Sequence, residues 1–253
     1  MNADMKHQRD NVAGVWDRVS RAYDPEQYWR LPENLANLEA LLLHIGAPEG
    51  KRILEMGCGS GYTSLALAQR GAVCTLLDLS PEALRVAAAS FSSAGVAAPE
   101  LVNSDALHTP LPSGMFDVVW NGGVIEHFYD SGKMLLLKEM LRLTKPGGLV
   151  IVLVPNRHCW YFQIVQAWKK VYGTWRYGFE DDMSPGRLSR MCRRLGQIPV
   201  ASYAFNPVVG WRWIPVIGPR LARALGDAKI ERHRQRARTG FITVVVLQKG
   251  SDA

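Results

Sequence analysis

The residues best placed to do chemistry lie in a glycine-rich stretch early in the chain. Gly57, Gly59 and Gly61 follow a short apolar run that is typical of a buried strand, and a helical pattern begins directly after them. Glycines at such a turn permit a tight bend and let a ligand approach the backbone, and the amides at the helix start favour negative charge. The stretch therefore predicts a binding site for a nucleoside- or dinucleotide-containing ligand.

The spacing of these glycines separates the candidate ligands. The dinucleotide fingerprint GxGxxG needs its third glycine at position 62, where this chain has Tyr62. A phosphate-binding P-loop would end in Gly-Lys-Ser or Gly-Lys-Thr, and this ending is absent. A plain structural turn is the alternative that these residues alone leave open.

Acidic and histidine side chains recur where later apolar runs end. Asp78 and Asp105 each follow such a run, Glu126 and His127 come shortly after another, and His158 follows a further one. In open α/β sheets ligands bind at the carboxyl ends of the strands, so both histidines are expected near the correct face. His127, or His158 as a second candidate, could act as a general base because imidazole titrates near neutral pH. The alternative for His127 is a structural role, capping a helix and lining the ligand pocket.

The elements that position these residues alternate between short apolar runs and helical patterns. Strands are predicted at 52–56, 73–77, 100–103, 116–120, 149–154, 200–205 and 241–247, and helices at 63–69, 81–92, 133–143 and 184–195. This order predicts right-handed crossovers and parallel strands, and continuous apolar strands predict a sheet covered on both faces. We predict an α/β fold with a Rossmann-like, mostly parallel seven-stranded sheet, helices on both faces, and helical insertions after strands five and six.

The 253 residues fit a single domain. We expect N-terminal cap helices over about 1–48, a ligand-binding core over about 49–155, an aromatic insertion over about 156–183 and a basic insertion over about 206–239. The polar first ten residues show no signal peptide, and no apolar run approaches the ~20 residues that span a bilayer. Four scattered cysteines without metal-ligand spacing favour a reduced compartment, so a cytoplasmic location is expected.

The ordered motifs resemble one enzyme family. The segment Glu55 to Gly61 resembles motif I of the class I S-adenosylmethionine-dependent methyltransferases. Asp78 occupies the position where that family places an acid on the ribose hydroxyls, and a carboxylate can accept both. Asp105 and the amide of Ala106 occupy the position that contacts the adenine amino group.

Two later motifs follow in the family's order. Phe116-Asp117-Val118-Val119 resembles the strand-four motif and Lys145-Pro146-Gly147-Gly148 the turn before strand five, so the likeness covers roughly residues 14–155. The run from Val124 to Phe128 resembles the subgroup of ubiquinone, menaquinone and small-molecule methyltransferases. In some of those enzymes an additional acid before the Glu-His pair is implicated in metal binding. Gly123 stands in that region here, so no metal site is predicted.

The resemblance implies S-adenosylmethionine as cofactor and S-adenosylhomocysteine as product. Residues 15–24 are similar to the helix that closes over the cofactor in this subgroup, with Tyr23 and Tyr28 as expected contacts. The residues predicted to bind the cofactor are Glu55, Gly57, Cys58, Gly59, Gly61, Asp78, Leu79, Asp105, Ala106, Asn121 and Tyr23.

An aromatic segment over 157–182 contains eight Trp, Tyr or Phe residues. Five apolar residues recur in it at helical spacing and predict one apolar stripe: Trp160, Ile164, Trp168, Val171 and Tyr172. One interpretation is a lid helix that packs through this stripe. The other is a substrate pocket lined by Trp160 and Tyr161, together with Tyr28, for an apolar or cationic substrate.

Most of the net charge of +7 comes from one segment. Between Asn206 and Arg238 eight Lys or Arg face two acids, so the rest of the chain is almost neutral. With Trp211 and Trp213 this segment resembles an interfacial anchor on an anionic membrane, which would make the protein membrane-peripheral. A clamp for an anionic substrate and a solvated helix face are the alternatives. No RNA- or DNA-binding module is recognisable, so a nucleic-acid partner is not expected.

Together these features predict methyl transfer from S-adenosylmethionine to an O or N atom of a small molecule, with a lipid-like or isoprenoid acceptor as one candidate. A nicotinamide-dependent dehydrogenase is disfavoured by Tyr62. A binding protein without catalysis, acting as a partner or regulatory subunit, is the alternative. The sequence predicts neither the acceptor atom nor the oligomeric state.

Overall fold

The structure, a computed structural model, describes residues 14–21, 32–205 and 238–250, and also Ile214, Gly218 and Arg220. The strands are β1 (Arg52–Met56), β2 (Val73–Asp78), β3 (Glu100–Asn103), β4 (Phe116–Gly122), β5 (Thr144–Pro155), β6 (Ala201–Phe205) and β7 (Ile242–Gln248). The helices are α1 (14–20), α2 (Pro32–Ile45), α3 (Tyr62–Ala68), α4 (Pro81–Ser93), α5 (Asp130–Leu143), α6 (Trp160–Val171) and α7 (Pro185–Arg194). A short 3₁₀ turn, Ile125–His127, precedes α5.

The strands form one sheet in the order β3-β2-β1-β4-β5-β7-β6, in which β7 runs antiparallel to β5 and β6 and the other pairs are parallel. Helices cover both faces. Ile53 and Leu54 are neighbours in β1 and point to opposite sides, yet both are fully buried in separate hydrophobic clusters. The predicted mostly parallel seven-stranded fold is therefore confirmed.

The break predicted between the fifth helix and the fifth strand is a bulge within β5. Thr144 lies opposite Phe116, and the next paired residue, Leu149, lies opposite Val118, so four residues are looped out. A Cβ at Gly148 would meet the backbone oxygen of Asp117 at 2.8 Å, which explains why this bulge needs a glycine.

The aromatic insertion does contain a helix, α6, but the predicted stripe faces outward. The side chains of Trp160, Ile164, Trp168 and Val171 are 62%, 61%, 49% and 82% exposed. The inner face is instead formed by the adjacent residues Tyr161, Phe162, Val165 and Gln166. The interpretation that the stripe packs a lid helix against the core was wrong, because α6 is apolar on two faces and periodicity alone does not choose between them.

Within the described part of the chain, no helix is both long enough and apolar enough to cross a bilayer.

Candidate active site

The glycine-rich loop between β1 and α3 is pinned to the neighbouring strand. The amides of Gly57 and Cys58 both donate to the carbonyl of Leu77 near the end of β2, at 2.7 and 3.0 Å. Gly57 has a φ of +71°, and a Cβ there would lie 2.5 Å from Cγ2 of Val124. Both the backbone conformation and the space require glycine, so the loop's course is fixed by β2 and by the turn after β4.

Asp78 joins this loop to the start of α4. Its Oδ2 accepts the amide of Gly59 at 2.8 Å, and its Oδ1 accepts the amide of Ser80 at 2.9 Å. Burial raises the pKa of this carboxyl above its ordinary value, and the two amide donors oppose that rise. Asp78 therefore orders the loop while remaining on the wall of the cavity described below.

Glu55 lies beneath the loop, at the penultimate residue of β1, and is buried. Its Oε2 accepts the hydroxyl of Ser64 at 2.5 Å. Burial, with a smaller contribution from the nearby Asp78, raises the pKa of Glu55 to about 8. The carboxyl is thus mostly protonated at neutral pH, and a cation placed beside it would favour its ionised form.

These residues border a cavity of about 290 Å³ at the carboxyl ends of β1, β2 and β4. Its walls include Trp16, Ser20, Asn34, Asn37, Glu55, Gly57, Cys58, Gly59, Asp78, Leu79, Asp105, Ala106, Trp120, Val124, His127, Phe128, Tyr129 and Ser131. Three of the lining residues are acids, and among the described residues that line it none is Lys or Arg. This set suits a positively charged ligand that also carries hydroxyl groups.

His127 lies in the cavity wall formed by the turn after β4. Its Nδ1 lies 2.8 Å from the carbonyl oxygen of Phe179, and since a carbonyl only accepts, Nδ1 carries the hydrogen. In the neutral ring Nε2 is then the proton-accepting nitrogen, and it lies 3.9 Å from Oε1 of Glu180. Burial lowers the pKa of His127 to about 4 and raises that of Glu180 to about 8. The imidazole is therefore neutral at physiological pH.

Two segments cover the cavity. On one side, the hydroxyl of Ser80 donates to Asp17 of α1 at 2.5 Å, and the ring of Trp16 meets the ring of His127 edge-on at 4.9 Å. On the other, the rings of Tyr129 and Phe179 pack 4.6 Å apart. Helix α1 thus reaches from the end of β2 to the histidine.

The covering segment before α7 is anchored by an ion-pair network around one buried lysine. Lys133 of α5 is fully buried, and its Nζ donates to Asp181 at 2.5 Å. Arg187 of α7 binds both Asp181, at 2.7 Å, and Asp130, at 2.8 Å. These bonds hold Phe179 and Glu180 against His127.

The structure brings together most of the residues predicted from the sequence. Those that line the cavity are Glu55, Gly57, Cys58, Gly59, Asp78, Leu79, Asp105, Ala106 and His127. Tyr23 and Tyr28 lie outside the described residues, as does most of 206–239.

Five other predicted residues lie away from this cavity. A Cβ at Gly61 would meet Ala87 and Leu76 at 3.0 Å, so this glycine allows α3 to pack against α4. Asn121 is fully buried and donates to the sulfur of Met140. His158 is exposed on a separate groove beside the start of α7. Trp160 and Tyr161 lie on α6 and are likewise not among the lining residues.

The sequence indicated that residues 15–24 close over the cofactor, but it did not single out the side chains that the N-terminal helices contribute to the cavity. Trp16 and Ser20 reach the cavity from α1, and Asn34 and Asn37 reach it from α2. The two asparagines lie one helical turn apart beside buried apolar residues of α2, and such a polar pair is the signal that could have found them.

Comparison with known proteins identifies the family of this chain. Residues 54–152 match the family model described as "Methyltransferase domain". The chain is 29% identical over 200 residues to the ubiquinone biosynthesis O-methyltransferase of Azoarcus sp. (strain BH72), covering 76% of this chain and 84% of that protein. It is 30% identical to the enzyme of the same name from Thiobacillus denitrificans, covering 73% of this chain and 81% of the relative. The chain belongs to the class I S-adenosylmethionine-dependent methyltransferases.

This methyltransferase also shares its fold with solved structures of lower identity. The magnesium protoporphyrin IX methyltransferase of Synechocystis, solved with bound S-adenosylhomocysteine, superposes with a TM-score of 0.64 at 14% identity, covering 96% of this chain and all of the other. Membership of this family makes the protein an enzyme with S-adenosylmethionine as its cofactor, and the dehydrogenase alternative is wrong. The cavity fits this cofactor, because its acids match a cationic, hydroxyl-bearing molecule and the glycine-rich loop, through Gly57 and Gly59, forms part of its wall.

We expect Gly57→Ala in this methyltransferase to lower the free energy of unfolding by about 2 kcal/mol or more, because it combines an unfavourable φ with a clash against Val124. Gly147→Ala is the matched control, since Gly147 has a φ of +75° but no heavy atom within 4 Å of its Cβ position. Its cost should be about 1 kcal/mol. Urea denaturation of both variants measures the difference, and equal midpoints would contradict the close contact.

Proposed function

We propose that the enzyme methylates a hydroxyl oxygen on an uncharged, ring-containing, lipid-like acceptor. The observation that supports this proposal is the composition of the cavity around His127, Phe128 and Tyr129, which we call the acceptor end. There the neutral imidazole of His127 lies beside aromatic and apolar walls, and the described lining residues include no Lys or Arg that would bind an acidic substrate. The names of the ubiquinone biosynthesis O-methyltransferases, which describe those relatives, support the same chemistry here.

We assign the cofactor to the loop side of the cavity. Asp78 would accept the ribose hydroxyls, and Asp105 with the amide of Ala106 would contact the adenine. Glu55 would bind the cationic amino-acid end, while the loop amides at the start of α3 would bind its carboxylate. When bound, S-adenosylmethionine supplies a methyl group that is already activated by its sulfonium. The chain itself must then position the acceptor, exclude water and remove a proton.

His127 is the proposed proton acceptor. A hydroxyl that gains a methyl group must lose its hydrogen, and Nε2 of His127 is the nitrogen with a free lone pair when Nδ1 donates to Phe179. The resulting imidazolium would lie 3.9 Å from Glu180, whose ionised form would stabilise it. Glu180 is thus a positioning and electrostatic residue in this proposal, not a group that touches the acceptor.

The covering side chains would orient the acceptor. Trp16, Phe128 and Tyr129 lie in the walls beside His127, and aromatic rings bind flat apolar molecules while keeping water out. Correct orientation of two reactants can supply about 7–11 kcal/mol of the barrier in favourable cases. We therefore expect specificity for the ring and its orientation rather than for a charge on it.

An acceptor assay tests the proposal. The purified enzyme is incubated with S-adenosylmethionine and one of three probes: a catechol carrying a short isoprenoid tail, the corresponding benzoic acid, and the corresponding aniline. We expect the catechol to be methylated at least ~10-fold faster than the other two, because the site offers a base but no cation. Mass spectrometry of the product locates the methyl group. Preference for the aniline would contradict the oxygen acceptor, preference for the benzoic acid would contradict the uncharged acceptor, and no turnover of the catechol would contradict the proposal.

A peripheral contact between segment 206–239 and anionic membranes is a further part of this proposal. Eight Lys or Arg within the segment, together with Trp211 and Trp213, support it. It would bring a lipid-like acceptor to the enzyme from the membrane surface. Co-sedimentation with phosphatidylglycerol vesicles at low salt tests this contact, and the combined change Arg232→Gln, Arg234→Gln and Arg236→Gln should release the protein from them.

A further inference from the structure

A second groove lies beside the start of α7, and its lining shares no described residue with the cofactor cavity. It has a volume of about 620 Å³. We call it the α7 groove; Gly186 and Arg190 of α7, Ser202 of β6 and Arg238 lie along it. None of the described residues that line it is Asp or Glu. Its charge is therefore opposite to that of the cofactor cavity, whose charged lining residues are acids.

Arg190 places its guanidinium at the amino end of α7. A Cβ added to Gly186 would lie 3.7 Å from Nη1 of Arg190, so the side chain runs back along the helix towards its first turn. The amino end of a helix carries partial positive charge, and a cation there is unfavourable. The first turn of α7 contains no acid that would offset it. A bound anion would supply the missing negative charge.

The neighbouring Arg187 differs from Arg190 in having acidic partners. Arg187 binds Asp130 at 2.8 Å and Asp181 at 2.7 Å, and Asp181 is also bound by the buried Lys133. Within the part of the chain that the structure describes, Arg190 pairs with no acid. Asp130 and Asp181 thus neutralise Arg187 and Lys133, and the charge of Arg190 stays available to a ligand.

The walls of the α7 groove are held by polar contacts that leave its two guanidinium groups free to move towards a ligand. Ser202 donates to the carbonyl of Pro185 at 3.3 Å and accepts the hydroxyl of Ser189 at 2.7 Å, which joins β6 to α7. The buried Asn156 donates to the carbonyl of Arg238 at 3.0 Å, so the backbone of Arg238 is fixed while its side chain is exposed. The groove is therefore preformed, which lowers the entropy cost of binding.

The first turn of α7 adds further donors for an anion. The hydroxyl of Ser184 accepts the amide of Arg187 at 3.4 Å, so its own hydrogen can point to a ligand. The amide of Gly186 belongs to the first helical residues, which have no acceptor within the helix. Guanidinium groups and amides at the amino end of a helix are the donors that proteins use to bind phosphate.

We propose that the α7 groove binds the phosphate or diphosphate group of a small soluble molecule. Arg190 and Arg238 would donate to its oxygens, while the amide of Gly186 and the hydroxyl of Ser184 would bind the same group from the helix side. One arginine is enough for a carboxylate, whereas two arginines and a helix end match the larger number of oxygens on a phosphate. The site lies outside the methyl-transfer cavity and does not depend on which acceptor the enzyme methylates.

Isothermal titration calorimetry tests this site on the enzyme saturated with S-adenosylhomocysteine, so that the cofactor cavity is filled. The probes are inorganic phosphate and pyrophosphate, with succinate as a dianion that contains no phosphorus, all at the same ionic strength. The wild-type enzyme should bind pyrophosphate with a Kd below about 1 mM. Arg190→Gln and Arg238→Gln should each weaken this binding at least ~10-fold, because each removes a hydrogen bond between charged groups.

Arg194→Gln is the matched control for these variants. It removes the same charge from the same helix, but at the opposite end, in the last turn of α7. Its affinity for pyrophosphate should stay within about twofold of the wild-type value, because solvent and salt screen a distant exposed charge. Every variant should keep the wild-type affinity for S-adenosylhomocysteine, which shows that it is folded.

The outcomes distinguish the α7 groove from other sites for an anion. Weakening that is confined to the two groove arginines supports the proposal. Equal weakening in the control would overturn it in favour of a general effect of net charge. Loss confined to the combined change Arg232→Gln, Arg234→Gln and Arg236→Gln would overturn it and place the anion on segment 206–239. Succinate binding as tight as that of pyrophosphate would contradict a phosphate ligand, and no binding of either phosphate probe would refute the site.

Discussion

Replacing Asp78 by alanine should weaken S-adenosylmethionine binding by at least ~100-fold. The bound ribose would lose the carboxylate that accepts its hydroxyl groups. The amides of Gly59 and Ser80 would lose the same acceptor. Hydrogen bonds to a charged group contribute about 1.5–3 kcal/mol each, so the loss of two reaches this magnitude. Isothermal titration calorimetry with S-adenosylmethionine and S-adenosylhomocysteine measures the change.

Asp117→Ala is the matched control for this prediction. Asp117 also accepts a backbone amide at a strand end, that of Arg52 at 2.8 Å, and it binds Lys145 at 2.7 Å. It lies at the amino ends of the strands, where β1 begins, and Asp78 lies at their carboxyl ends. The control should lose stability with little loss of cofactor affinity. An affinity that is the same in Asp78→Ala as in wild type would refute the cofactor site assigned here.

The second large effect is expected at His127. His127→Gln should lower kcat for a hydroxyl acceptor by about 100-fold, near the lower end of the range for general bases, because burial makes this imidazole a weak base. His158→Gln, on the separate groove, is the control and should leave kcat unchanged. An amine acceptor that is neutral needs no base, so its kcat should be spared in both variants. Steady-state kinetics with paired acceptors measures these differences.

The pH profile gives an independent test of the same residue. His127 is active as a base only when neutral, and its pKa of about 4 keeps it neutral down to nearly that pH. With S-adenosylmethionine saturating, the activity is therefore fully present above the pKa of His127 and declines as the pH falls through about 4. A histidine with the ordinary pKa near 6.5 would instead lower kcat/KM about tenfold by pH 5.5. A tenfold decline at that pH would show that His127 is not buried as the structure has it.

The fold and the cofactor side of the site follow from the sequence for local reasons. Continuous apolar strands such as 73–77 exclude an exposed sheet face, and Ser80 before Pro81 begins α4 as a good N-cap should. Gly57 and Gly59 follow β1, and Asp78 and Asp105 lie at or after the ends of β2 and β3. The proposed cofactor residues therefore meet at the carboxyl ends of these strands. Each of these inferences depends on residues near one another in the chain.

The acceptor side could not be predicted in the same way. His127 meets Phe179 and Glu180 across more than 50 residues, and no local pattern links them. The helix α6 shows the limit of periodicity, since it carries apolar residues on both faces. Its inner face is the one on which Phe162 packs against Phe241 and on which Gln163 donates to Asp182. The arrangement around His127, where we propose that the acceptor binds, therefore depends on contacts between residues far apart in the sequence.

The protonated state of Glu55 has a consequence for how the cofactor binds. A carboxyl with a pKa of about 8 carries a hydrogen at neutral pH, and a cation seated beside it displaces that hydrogen into the buffer. Cofactor affinity is then linked to proton release and strengthens as the medium becomes more alkaline towards pH 8. When the product leaves with its ammonium group, the carboxyl regains a proton, so each catalytic cycle would release and rebind one proton beneath the glycine loop.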